Sequence, residues 1–148
     1  KIVIDKEPHP AYNAGGKDAL INGISGNNKR YGDREWLGFS GEDIIITIEF
    51  DSPKNIKTIS TRFYNGHGQW IYAPNEIGFS FYLEDGKTVN DIRIIEEKNN
   101  LLVNYSYELK STPVKKLDII VKNYGTIPKG KQGAGHKAWT FIDELIIE

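Results

Sequence analysis

Apolar residues recur at every second position along most of this chain, and helical spacing is nearly absent. Ile44, Ile46, Ile48 and Phe50 share one face of an extended run, with Asp43, Thr47 and Glu49 on the other. Ile59, Thr61 and Phe63 repeat the pattern, and Ile77, Phe79, Phe81 and Leu83 alternate with Gly78, Ser80 and Tyr82. Asp85-Gly86 then supplies a tight hairpin turn. Leu101, Val103, Tyr105, Tyr107 and Leu109 form a further face, and Leu117, Ile119 and Val121 another. Asn99-Asn100 and Lys115-Lys116 mark turns between these runs. With residues 2–4 and 141–147, the pattern predicts one all-β domain over residues 1–148 with about eight antiparallel strands, the number expected of a jelly-roll β-sandwich or a related sandwich. No internal repeat, low-complexity segment or linker interrupts it.

Three connections, residues 25–35, 64–75 and 124–137, are too long and too aromatic to be simple turns. Loops on a rigid sandwich are where binding groups sit. The length of 148 residues suits one domain with a full core. Net charge is −1 and the Lys and Arg residues are scattered, which argues against nucleic acid and anionic membrane surfaces as partners. No apolar run is long enough to span a bilayer. The absence of Cys excludes disulfides, thiol nucleophiles and thiolate metal sites. A start at Lys1, no Met and an end on a strand are expected of a piece of a longer polypeptide.

Three segments in order carry a resemblance. They are Asn22-Gly23 leading to Trp36-x-Gly-Phe-x-Gly-x-Asp43, then Trp70-Ile71-Tyr72-Ala73-Pro74 before the Asp85-Gly86 hairpin, and the closing Ala138-Trp139-x-Phe141-x-Asp143-Glu144. Together they resemble a coagulation factor 5/8 type C, or discoidin-like, domain over nearly the whole chain. More narrowly, the sequence is similar to the copy at the C-terminus of Bacteroides-type β-hexosaminidases (chitobiases). The resemblance implies a galactose-binding-like jelly roll, carbohydrate binding, a structural calcium ion and a separate catalytic domain in the parent chain. It also implies a periplasmic, extracellular or cell-surface location. Many relatives have Asp-Gly where this chain has Asn22-Gly23, which removes one formal charge from the ion site.

Calcium takes several hard oxygen ligands. The Gly-rich segment 15–23 offers backbone carbonyls, and Asp18 and Asn22 add side-chain oxygens. Glu144 aligns with the family's C-terminal acidic ligand. Neighbours on a strand point to opposite faces, so of Asp143 and Glu144 only Glu144 is expected to serve. The opposing reading makes Glu144 a solvated edge residue and Asn22-Gly23 an ordinary turn.

Sugar recognition needs an aromatic platform and planar polar groups that bridge hydroxyls. Tyr31, Trp70, Tyr72 and Tyr124 are candidates for the first, and Arg34, Asn65, His67 and His136 for the second. Trp36 and Trp139 stand beside strand positions and are expected to pack in the core. Trp70, in a Gly-rich loop, suits packing and binding equally.

Catalytic arrangements find little support. His9, His67 and His136 are far apart and show no metal-ligand spacing. No pair of carboxylates signals glycoside hydrolysis, and the Gly-rich stretch 125–135 is not a phosphate loop. The reading favoured is a non-catalytic module that binds galactose- or N-acetylhexosamine-type glycans and serves the catalytic domain of a parent glycosidase. The alternative is an interdomain sandwich without a sugar site, and burial of Tyr31, Trp70 and Tyr72 discriminates the two.

Overall fold

The computed structural model describes residues 1–148 apart from Asn27, Asp33 and Arg34. Among the described residues the strands are β1 (Ile2–Ile4), β2 (Leu37–Ser40), β3 (Ile44–Tyr64), β4 (Glu76–Leu83), β5 (Thr88–Ile94), β6 (Leu102–Val121) and β7 (Trp139–Ile147). All pair antiparallel, in the order β2-β7-β3-β6-β4-β5 with β1 beside β3.

β3 and β6 run 21 and 20 residues. At about 3.3 Å per residue each would extend roughly 65 Å, about twice the width of a small domain, so the pair cannot stay straight. It bends where the register jumps from Glu49↔Lys116 to Lys54↔Val114, leaving residues 50–53 opposite Lys115 alone. Asp51-Ser52-Pro53 breaks the alternation there, and Pro53 has no N–H to give a ladder. The ribbon therefore folds over itself. The first half of β3 and the second half of β6 form one layer with β1, β4 and β5; the other halves form the second layer with β7 and β2.

This corrects the sequence-based boundaries. The runs at 44–50 and 59–63 are two halves of β3, those at 101–109 and 117–121 are two halves of β6, and Lys115-Lys116 lies within β6 at the bend. Ile44, Ile46 and Ile48 from one layer face Ile59, Phe63 and Val103 from the other, with Ile77, Phe79 and Phe81 completing the core. Each such side chain contributes about 1.5–3 kcal/mol on burial. Trp36 is fully buried with its ring edge-on to Tyr64 at 5.4 Å, the core role expected of it, while Trp139 is half-buried. No helix is long and apolar enough to cross a membrane.

With the bend at one end, both termini of the ribbon, Ile44/Val121 and Tyr64/Leu102, reach the opposite rim, where the long loops gather.

β5 is a free edge. Leu83 N–H bonds Lys87 O and Ile95 N–H bonds Asn75 O, so odd-numbered residues of β5 pair with β4 and even-numbered ones turn their amides outward. The outward Ile92 N–H is taken by the Asp91 side chain, Oδ1 accepting at 2.9 Å. Asp91 is itself held by Tyr107 Oη at 2.7 Å and Arg93 Nε at 2.9 Å. A side chain that occupies an edge amide blocks strand addition, which matters because Ile92 and Ile94 are 66% and 75% exposed. Asp91→Ala is therefore expected to self-associate with rising concentration in sedimentation velocity while wild type stays monomeric. A monomeric variant over the same range would contradict this role.

Candidate functional site

The rim is built on Asn65, the first residue after β3. Its Nδ2 donates to Lys98 O at 2.8 Å and Asn100 O at 2.9 Å, while Oδ1 accepts from Ala73 N at 2.9 Å and meets His67 Nε2 at 3.0 Å. Two carbonyls fix the orientation of the amide, so Oδ1 faces His67 and Nε2 must carry the proton. That leaves His67 Nδ1 as the acceptor of a neutral ring. Burial lowers the His67 pKa, the Lys131 charge lowers it further, and Glu97 partly opposes them, so the ring is neutral at pH 7. His67 stacks flat on Tyr72 at 4.0 Å. Tyr72 is buried and donates from its hydroxyl to Gln132 O at 2.7 Å, which joins the 64–75 loop to the 124–137 loop. Tyr124 packs on Tyr72 at 4.7 Å, and Lys131 Nζ reaches Glu97 at 2.6 Å beside it.

Trp70 is placed by strain and by glycine. Its φ of 63° is left-handed, rare for a bulky residue and a cost that surrounding contacts must hold in place. The indole lies directly against Gly133, where an added Cβ would stand 2.5 Å from Trp70 Cδ1. His136 stacks on the indole at 4.1 Å and 15°. The residue is nonetheless 39% exposed, so part of the indole meets solvent from a fixed position.

Of the residues singled out from sequence, Asn65, His67, Trp70, Tyr72, Tyr124 and His136 come together at this rim. Asn65 and Tyr72 lie beneath its surface with their polar atoms committed to the loop framework. Trp70 and His136 are open. Tyr31 is half-buried in a separate cluster, 5.6 Å from Phe141 and 5.8 Å from both Tyr12 and Tyr64. Arg34 lies outside the described residues. The discriminating test is thus divided: Trp70 is open, Tyr72 is buried, Tyr31 lies between. Sequence reasoning passed over Gln132, Lys131 and Glu97, and the Gly-rich spacing around Gln132 and Lys131 was the available sign of a docked loop.

The carboxylates of β7 occupy a different face. Pairing passes from Thr61↔Leu145 to Phe63↔Ile142, so a bulge sets both Asp143 and Glu144 opposite Arg62. The expectation that they point to opposite faces fails for this reason. Asp143 is fully buried; its Oδ2 accepts from Arg62 Nε and Gly26 N, both at 2.9 Å, and its Oδ1 from Glu144 N at 2.7 Å. Arg62 also donates to Gly26 O at 2.8 Å and Asn28 Oδ1 at 2.9 Å, so the pair straps the 22–28 segment onto the sheet. Glu144 is 5% exposed, its Oε1 accepts from Gly23 N at 3.2 Å, and its Oε2 is buried without a partner. Burial pushes its pKa up.

Of the other ion-site candidates, Asn22 accepts from Ile24 N through Oδ1 at 2.8 Å and donates to Glu35 Oε2 at 2.9 Å. The Asp18 side chain is 80% exposed beside Lys17. Among the described residues no three His, Asp or Glu side chains converge as a metal cluster.

No family model matches the chain, and no curated protein matches it. Solved structures do match in shape. GH31 CBM32-2 bound to GalNAc superposes with a TM-score of 0.65 at 16% identity, covering 99% of this chain and 96% of that one. The CBM32 of AlyQ in complex with 4,5-unsaturated mannuronic acid gives 0.59 at 14%, covering 100% and 93%. The lectin domain of lectinolysin complexed with Lewis B antigen gives 0.59 at 9%, covering 100% and 91%. Likeness at these identities defines the fold, a galactose-binding-like β-sandwich, as the sequence reading expected.

Removing one partner of a buried ion pair leaves an uncompensated charge. Arg62→Met is therefore expected to lose about 3–5 kcal/mol in chemical denaturation, most of it by stranding Asp143. A loss of less than about 1 kcal/mol, the value of a surface pair, would show that Asp143 is solvated.

Proposed function

We propose that this domain is a non-catalytic carbohydrate-binding module whose ligand rests on Trp70. The observation that carries the reading is the open indole, backed by His136 and seated on Gly133. A partly exposed indole held rigidly pays little entropy on binding and offers apolar surface to the C–H groups of a pyranose. Within the same two docked loops, His67, stacked on Tyr72, and Lys131, paired with Glu97, add polar groups of the kind that hydroxyls need. The shape relatives support the reading, since their names record GalNAc, an unsaturated mannuronic acid and a Lewis antigen as ligands.

A single small site of this kind binds weakly, because few contacts must offset the desolvation of sugar hydroxyls. Its use lies in tethering. A module joined to a glycosidase raises the local concentration of substrate at the catalytic domain without new chemistry. The parent we propose is a glycoside hydrolase of the β-hexosaminidase type acting outside the cytoplasm. Exposed Ile45, Ile92 and Ile94 favour a second, compatible role for the outer face of the β3–β6–β4–β5 layer, contact with a neighbouring domain of that parent.

We further propose that Glu144 Oε2, with backbone carbonyls of the 17–24 loop, holds a calcium ion. A buried carboxylate oxygen with no donor suits a hard cation, and the ion would pin the N-terminal loop to β7. Asp18 stands in solvent and the Asn22 oxygen is engaged in its own turn, so one carboxylate carries the charge and weak affinity follows.

Titration against a panel of galactose, GalNAc, GlcNAc and chitooligosaccharides, followed by intrinsic fluorescence, is expected to move the emission of Trp70. Trp70→Ala should abolish the response while leaving the melting temperature within about 2 °C, because the ring is half open. A response that survives the substitution would place the ligand elsewhere. For the ion, chelator is expected to lower the melting temperature by a few degrees and added calcium to restore it, through the linkage of binding to stability. An unchanged midpoint would remove the calcium and leave the sugar site standing.

A further inference from the structure

We infer that the Trp70 rim selects anionic glycans, those bearing carboxylate or sulfate groups, over neutral ones; this rests on the carbohydrate reading above. The observation is where charge sits. Residues 122–138 contain Lys122, Lys129, Lys131 and Lys137 and no Asp or Glu, in a chain whose formal net charge is −1. This loop is therefore basic, while Glu96 and Glu97 on the neighbouring segment line the rim beside Tyr124.

Two of these lysines are engaged. Lys122 Nζ lies 3.8 Å from Asp43, and Lys131 Nζ lies 2.6 Å from Glu97. Lys129 and Lys137 are exposed, and neither has an ion-pair partner among the described residues. Both are held in place through the backbone. Lys129 sits in the turn closed by Lys131 N–H to Pro128 O at 3.2 Å, and Lys137 pairs with Thr126 directly after the His136 that backs Trp70. Two cations without an ion-pair partner among the described residues thus belong to the loop that supports Trp70, Lys137 with its stem against Gly41. A neutral sugar gains nothing from them. A carboxylated or sulfated residue stacked on Trp70 gains attraction over a range of about 8 Å at physiological ionic strength, and less as salt rises. The same field draws such a ligand in before contact.

The test compares trigalacturonate, a trisaccharide carrying galactose 6-sulfate and neutral galactotriose by calorimetry, at about 20 mM and about 500 mM NaCl, where screening differs severalfold. One or both anionic probes are expected to bind about tenfold tighter than the neutral one at low salt, with the advantage falling to about threefold or less at high salt. The double variant Lys129→Gln/Lys137→Gln should show the same fall at low salt while retaining the wild-type melting temperature. Preference for trigalacturonate alone identifies a carboxylate ligand, and preference for the sulfated probe alone a sulfate. Equal, salt-independent binding of all three overturns this inference and leaves the carbohydrate reading intact. An anionic preference that persists in the double variant overturns the assignment to these lysines. Failure of all three to bind overturns the carbohydrate reading and this inference with it.

Discussion

Everything at the rim depends on one constraint, that the paired β3 and β6 are too long to remain flat. Forty-odd residues of continuous antiparallel ribbon must double back, and the three-residue excess around Asp51-Ser52-Pro53 lets it do so. Once folded, the ribbon supplies the central strands of both layers, so the core is enclosed by a single covalent unit. The same geometry carries the two ends of the ribbon to one edge. There the loops that follow Tyr64 and Val121 meet and order one another through Tyr72 and Gly133, while Asn65 ties the first of them to residues 98–100.

How much of this was legible in the sequence follows from what alternation can and cannot report. Ile44-Ile46-Ile48 and Ile77-Phe79-Phe81 bury as their period predicts, because a half-buried strand needs nothing beyond one apolar face. The continuity of β3 was hidden, because Asp51-Ser52-Pro53 has the composition of a turn and here only bends a strand. β5 was read only through the hairpin at Asp85-Gly86, since the exposed Val89, Ile92 and Ile94 at an edge blur the contrast between its faces. The bulge at Asp143-Glu144 leaves no mark in sequence, and it reversed a prediction based on strict alternation. The burial of Tyr72 arises from docking of two loops, each of which is polar and Gly-rich when read alone, and that of Asn65 from the segment at 98–100 closing over it.

The two buried carboxylates show how the N-terminal segment is coupled to the sheet. Asp143 has four donors and is fully satisfied by Arg62, Gly26 and Glu144 N–H. Glu144 accepts through Oε1 and keeps a bare Oε2. Neighbouring groups of the same chemistry thus differ in what they still lack. Trp70 presents a similar contrast within the rim. Its backbone is strained and its ring partly open, whereas Tyr72, two residues on, is relaxed and enclosed. Unspent strain and unpaired atoms sit at positions suited to a ligand, and satisfied ones form the frame beneath.

The central claim is that sugar is received at the docked loops, on Trp70. Amide and indole chemical-shift mapping during addition of a binding glycan tests it most directly. The account predicts that the largest shifts fall on the Trp70 indole N–H and the amides of Gly133, His136 and Gln132. Shifts centred instead on the outer sheet around Ser60, Ser106 and Ile146, or on the Ile92 edge, with the Trp70 indole unmoved, would contradict it.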